Sequence, residues 1–133
     1  MPRQNFNPDT LVKRVVGGHL LYSHAVSVEG KRLVFVSGQV PRDREGNVVG
    51  QGDMEAQIRQ VGDNIKAALE AAGATWDDVV KTTTYVTDID EFFRHMDARM
   101  AYFSALPAST TVEISRLSHP EFMVEIEAIA VLE

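Results

Sequence analysis

The side chains of this sequence best placed for chemistry lie at the ends of apolar runs: Tyr22, the pair Ser37-Gly38, the hydroxyl row Ser109-Thr110-Thr111, and Glu125. Polar groups collected at strand ends suit a small-molecule site, and a glycine there permits close approach of backbone to ligand. Each has a plainer alternative. Tyr22 can cover the core with its ring, Ser37 and Gly38 can end a strand, three hydroxyls suit any strand, and Glu125 can pair with a surface lysine. Spacing alone does not bring these groups together.

Other chemistries are harder to build. The histidines are His19, His24, His95 and His119. No two have the i, i+4 spacing of a helical zinc pair, so no metal site is expected. Without cysteine there is no disulfide, thiol nucleophile or thiolate zinc ligand. Gly17-Gly18 lacks the lysine and length of a phosphate loop, no G-x-G-x-x-G follows a strand, and no G-x-S-x-G presents a serine, so no cofactor is expected. The formal net charge is −6, from 13 Lys+Arg against 19 Asp+Glu. The densest basic stretches are the isolated pairs Lys13-Arg14 and Lys31-Arg32, whereas a nucleic-acid partner requires a cationic footprint. Met1-Pro2-Arg3-Gln4-Asn5 has no apolar secretory core, and no apolar run is long enough to span a bilayer. These features predict a cytoplasmic protein with neither a nucleic-acid nor a membrane partner.

The positioning elements follow from periodicity. A length of 133 residues, 44% apolar and 24% charged, fits one domain over 1–133. Residues 1–10 read as an extended polar segment, and Leu11 to Val28 as two short strands about Gly17-Gly18. Leu33-Val34-Phe35-Val36 is a continuous apolar run, which predicts a strand covered on both faces and stopped by Pro41. Met54, Ile58, Val61, Ile65, Leu69 and Ala72 recur at helical spacing, with Asp53 and Gly73 as caps. Val79 to Val86 reads as a strand. Asp88 and Glu91 have capping-box spacing before a second helix that buries Phe92, Met96, Met100 and Phe103 and ends before Pro107.

A strand follows around Val112 and Ile114, and Met123 to Leu132 alternates throughout. Val124, Ile126, Ala128, Ala130 and Leu132 form a small apolar face suited to lie under helices. Met123, Glu125, Glu127, Ile129 and Val131 form the other face. Met, Ile and Val beside carboxylates do not fit a bare solvent face, so this side is expected to pack against other copies of the chain. The predicted class is α+β, with a mostly antiparallel sheet, two helices on one face and an oligomer interface on the other.

Several blocks, in order, resemble the reactive intermediate deaminase (Rid, or YjgF-type) family. They are Leu33-Val34-Phe35-Val36-Ser37-Gly38-Gln39-Val40-Pro41; Asn64 to Gly73 with Asp78-Val79-Val80-Lys81-Thr82-Thr83; and Pro107-Ala108, Val112-Glu113-Ile114, Arg116-Leu117 and Val124 to Ala130. The similarity runs from about Tyr22 to Val131. It implies a YjgF/chorismate-mutase-like fold, with a six-stranded sheet and two helices, assembled as a homotrimeric barrel with small-molecule ligands in clefts between subunits. It implies hydrolysis of enamines and imines to ketones and ammonia without a cofactor. Glu125 matches the glutamate that orients or activates water, Ser37-Gly38 the backbone groups that contact the ligand, and Tyr22 lies near the aromatic hydroxyl of the cleft.

The sequence departs from the family at the substrate anchor. Active members read P-A-R where this chain reads Pro107-Ala108-Ser109, and the missing arginine grips the substrate carboxylate. Thr111 stands where cysteine is frequent, and Met96 where the family has asparagine. Charge-assisted hydrogen bonds contribute roughly 1.5–3 kcal/mol each, so losing about 3 kcal/mol weakens carboxylate binding by about a hundredfold. Strand alternation turns Arg116 away from Ser109, which leaves Arg14, Arg94, Arg99, His24 and His119 as other cations. The expectation is a Rid-like hydrolase of small enamine or imine metabolites with a non-standard substrate, contacted by Tyr22, Ser37, Gly38, Ser109, Thr110 and Thr111. The alternative is a non-catalytic binding or regulatory homotrimer. RNA cleavage, a role of some relatives, is disfavoured by the acidic charge.

Overall fold

The computed structural model describes residues 2–133. In chain order it forms strands β1 (Arg3–Phe6), β2 (Val15–Val16), β3 (His19–Leu20), β4 (Ala25–Val28) and β5 (Arg32–Gln39), helix α1 (Met54–Ala71) and strand β6 (Val79–Val86). Helices α2 (Ile89–Phe93) and α3 (Met96–Met100) follow, then strands β7 (Ala108–Glu113) and β8 (Val124–Leu132). The main sheet has the order β5-β8-β6-β7. β8 is antiparallel to both neighbours, whereas β6 and β7 are parallel and joined by the α2–α3 crossover.

The α+β class agrees with the sequence reading, but the sheet differs from a continuous six-stranded one. It has four strands, and β1-β4 and β2-β3 form separate two-stranded ribbons. Gly17 and Gly18 hold φ of 59° and 81° and turn the chain within two residues, which closes β2 onto β3 as a local hairpin.

Asp53 caps α1 by accepting from the Ala56 N–H at 3.1 Å, and Gly73, at φ 80°, follows its end. Met54, Ile58, Val61, Ile65 and Leu69 are buried against the sheet, where Val36, Val86, Val124, Ile126, Ala128 and Ala130 complete the core. The second helix is capped by Asp88, which accepts from the Glu91 N–H at 3.0 Å. Glu91 does not complete the capping box; its carboxylate takes Arg94 at 2.6 Å and His95 at 2.9 Å. The helix is interrupted at His95, whose backbone (φ −122°, ψ 39°) leaves the helical region. Phe92, Met96 and Phe103 are buried as the spacing predicts, whereas Met100 is only half-buried.

The other sheet face is open. Leu33 is 62% and Phe35 71% exposed, so the expectation that both faces of this strand are covered fails within one chain. Only Val34 and Val36 turn toward the helices, opposite Ala130 and Ala128. The start of β8 is clamped from α1 by the fully buried Gln57. Its amide donates to the carbonyls of Gly50 (3.0 Å) and Glu121 (2.8 Å), and its side-chain oxygen accepts from the Met123 N–H (2.7 Å).

Candidate functional site

The parallel register sets Ser109 opposite Thr82 and Thr111 opposite Thr84. Thr82 and Thr84 are fully buried on the helix-covered side, so Ser109 and Thr111 share that face. The Ser109 and Thr82 hydroxyl oxygens lie 2.9 Å apart. Tyr22, between β3 and β4, meets Ser109 and Thr111 at a cavity of about 130 Å³ whose remaining walls are Arg14, Leu21, Ile89, Phe93 and Arg99. The Tyr22 ring packs edge-on against His24 at 5.2 Å, while Leu21 and Ser23 bond the backbone of Arg14 and Pro107, which holds this segment beside β7.

Among the cations that the sequence leaves open, Arg99 is the one against Ser109. It projects from α3 and donates from Nη2 to the Ser109 Oγ at 3.2 Å and from Nη1 to the Leu21 carbonyl at 2.7 Å. Its side chain is buried, and burial pushes the guanidinium down to about 10. Arg14 also lines the cavity, stacked over Phe93 at 4.7 Å. The others are engaged elsewhere: Arg94 with Glu91, His24 with the Val12 carbonyl at 2.6 Å, and His119 with the Glu121 N–H at 3.0 Å. Arg116 lines a separate surface cleft with Leu117, Ser118 and Pro120.

Glu125 belongs to the opposite face. It alternates with buried Val124 and Ile126 and pairs with Tyr85, whose hydroxyl donates to Glu127 at 2.8 Å on that open side. The carboxylate lies over Gly38: a Cβ built there would fall 2.0 Å from Glu125 Oε2. Gly38 and Ser37 sit where the β5–β8 register slips between Val36 and Gln39, a bulge that redirects the strand end. Partial burial, and secondarily the charge of Glu127, raise the Glu125 carboxyl above its ordinary value. Thr110 also faces this side, accepting from Lys81 Nζ at 3.1 Å.

The residues singled out by sequence therefore fall into two groups. Tyr22, Ser109 and Thr111 converge under the helices; Ser37, Gly38, Thr110 and Glu125 lie on the open side, where Gly38 and Glu125 touch. Gly38→Ala tests the second group. The obstructing atom ends a flexible side chain, so the variant is expected to fold normally while its Cβ displaces the carboxylate. Any turnover that uses the Glu125 carboxylate should fall by at least about tenfold for even a small misplacement, with an unchanged melting curve. Unchanged activity would separate Gly38 from the chemistry. Among the described residues, no group of three His, Asp or Glu side chains is arranged to hold a metal, and no helix is long and apolar enough to cross a membrane.

The family profile described as Endoribonuclease L-PSP matches residues 18–132, and the chain belongs to that family. A RutC family protein of Pyrococcus abyssi is 42% identical over 113 residues, covering 84% of this chain and 87% of the relative. A 2-iminobutanoate/2-iminopropanoate deaminase of Salmonella typhimurium is 41% identical over 103 residues, covering 74% of this chain and 79% of the enzyme. Among solved structures, YyfB of Yersinia pestis, described as a Rid family protein of unknown function, superposes with a TM-score of 0.85 at 34% identity, covering 99% of this chain and all of that one (100%).

Proposed function

We propose that this chain is a hydrolase of small enamines and imines that releases ammonia, working as a homotrimer with its sites between copies. The observation that carries this reading is the division of the site residues between two faces of one sheet. Within a chain, Glu125 and Ser109 lie on opposite sides of that sheet. A second copy packed on the open face would bring its helix-side cavity to the first copy's Glu125. The exposed Leu33, Phe35 and Val112 give that face the apolar area such packing needs.

The chemistry requires no group that the chain lacks. The enamine takes a proton on carbon and becomes the iminium form of the imine. A water held by Glu125 adds to the C=N carbon while its proton passes to the carboxylate. The Glu125 carboxyl then returns that proton to the nitrogen of the carbinolamine, and ammonia leaves as the hydroxyl gives its proton back to the carboxylate, forming the ketone. Because Ser109 replaces the anchor arginine, a substrate carboxylate is not held from β7 as in the arginine-bearing relatives, and the preferred substrate is expected to be non-standard in how it sits in the site.

Light scattering and turnover of 2-iminopropanoate generated in solution test both parts. The expected mass is three times 14.7 kDa, and Phe35→Glu, which puts a charge on the open face, is expected to give inactive monomers. A fully active monomer would overturn the shared site. Ligand binding without turnover of any imine would instead favour a binding or regulatory trimer, a reading supported by the substitution at Ser109.

A further inference from the structure

Arg99 is out of place for an arginine. It is 2% exposed, yet it pairs with no carboxylate among the described residues. A guanidinium carries five N–H donors. Those of Arg99 reach the Leu21 carbonyl, the Met100 sulfur and Ser109 Oγ, while Nε–H has no partner. Its face lies 4.2 Å from the centre of the Phe103 ring. Burying a cation without a counter-charge is strongly unfavourable, and groups perturbed in this way cluster at functional sites. Arg99 borders the cavity of about 130 Å³, together with Arg14 and no acidic side chain. In a chain of net charge −6, this cavity has two cations on its walls and no anion. Leu21, Ile89 and Phe93 supply an apolar side.

We propose that Arg99 is the anion anchor of this site, binding the carboxylate of a small acid with a short apolar substituent, with Arg14 at the rim. The proposal deepens the hydrolase reading by naming where the substrate's carboxylate is held, and it rests on that reading only for the acid's being a substrate. Ser109 then has a steric meaning. A large side chain at this position would displace the Arg99 guanidinium, whereas the small serine accommodates it and orients it through one hydrogen bond. The charge reaches the cavity from the helix rather than from the strand, which offsets the bound acid from the place a strand-borne arginine would give it.

Propionate, with propionamide as its uncharged control, tests the anchor by thermal shift and calorimetric titration. Propionate is expected to raise the melting temperature and propionamide to leave it unchanged. Arg99→Met should weaken propionate binding by at least about tenfold, the loss of one charge-assisted contact. Ser109→Asp places a carboxylate against Arg99 without removing any cation. It should melt higher than the parent and no longer respond to propionate, so the proposal remains testable if Arg99→Met fails to fold. Binding unchanged in either variant, or a parent protein indifferent to propionate, would overturn the assignment. Propionate cannot be hydrolysed, so a response to it is independent of imine turnover. Propionate binding through Arg99 without deaminase activity would sink the hydrolase reading alone. Deaminase activity with no propionate response would sink only the anchor.

Discussion

Glu125→Gln is expected to lower kcat for imine hydrolysis by about 10²–10⁴, the range for removing a positioned acid/base group, while self-association is retained. Glutamine keeps the size of the side chain over Gly38 but cannot accept the proton of the attacking water. The proposed mechanism needs the carboxylate form, and partial burial with the neighbouring Glu127 raises that carboxyl. The parent's rate should therefore fall, as pH decreases, at a higher pH than an ordinary glutamate would give. Glu127→Gln removes the like charge and should move this acid limb downward. The stability effect has the opposite sense. A carboxyl raised in the folded state favours folding below its unfolded value, and that contribution is lost as pH rises through the folded value. At neutral pH the glutamine variant should thus melt no lower than the parent. A pH–rate profile with the same acid limb in both proteins would assign the ionisation to another group.

Gln57→Leu should be the most damaging single change to the fold away from the site. Leucine fills the volume but leaves the Met123 N–H and the carbonyls of Gly50 and Glu121 without their shared partner. Each unpaired buried group costs about 1–3 kcal/mol, so the total reaches about 3–5 kcal/mol after partial relaxation. That is a large fraction of the roughly 5–15 kcal/mol that holds a domain together. The melting temperature should fall by about 10 °C or more. Because Met123 leads directly into the strand that carries Glu125, surviving folded protein should also lose activity. A variant as stable as the parent would show that water replaces the clamp. The Gly38→Ala prediction differs in kind, expecting lost activity with stability intact.

The elements legible in sequence were those with a local signal. The apolar stripe of α1 and its two caps, the strand Val79–Val86, the Asp88 cap and the alternation of β8 as far as Ala130 appear where periodicity and cap residues place them, whereas Val131, which alternation sends to the open face, is buried. What escaped depended on distant partners. Leu33-Val34-Phe35-Val36 reads as doubly covered because a continuous apolar run does not say what lies against each face. Ser109-Thr110-Thr111 reads as one hydroxyl row, but strand alternation sends Thr110 to the face opposite its neighbours. The bulge at Ser37-Gly38 has no marker beyond the glycine. Arg99 did leave a trace: it stands three residues after Met96 and four before Phe103, on the stripe that those residues bury. A cation on an apolar stripe is the sequence signature of a buried charge, and it singles out Arg99 among the arginines without structural knowledge.

In the proposed assembly, the division of the site across the sheet also shapes how this protein can change. The two halves of each site belong to different molecules, so a mutation that loosens contact between copies is felt by selection as a loss of chemistry, even when every reacting side chain is intact. Conversely, a chain crippled at Glu125 and another crippled at Arg99 each retain the half that the other lacks. Expressed in the same cell, they can form mixed assemblies that contain some undamaged sites. Inheritance at such a locus is therefore not a property of single alleles, since two defective copies together can do what neither does alone.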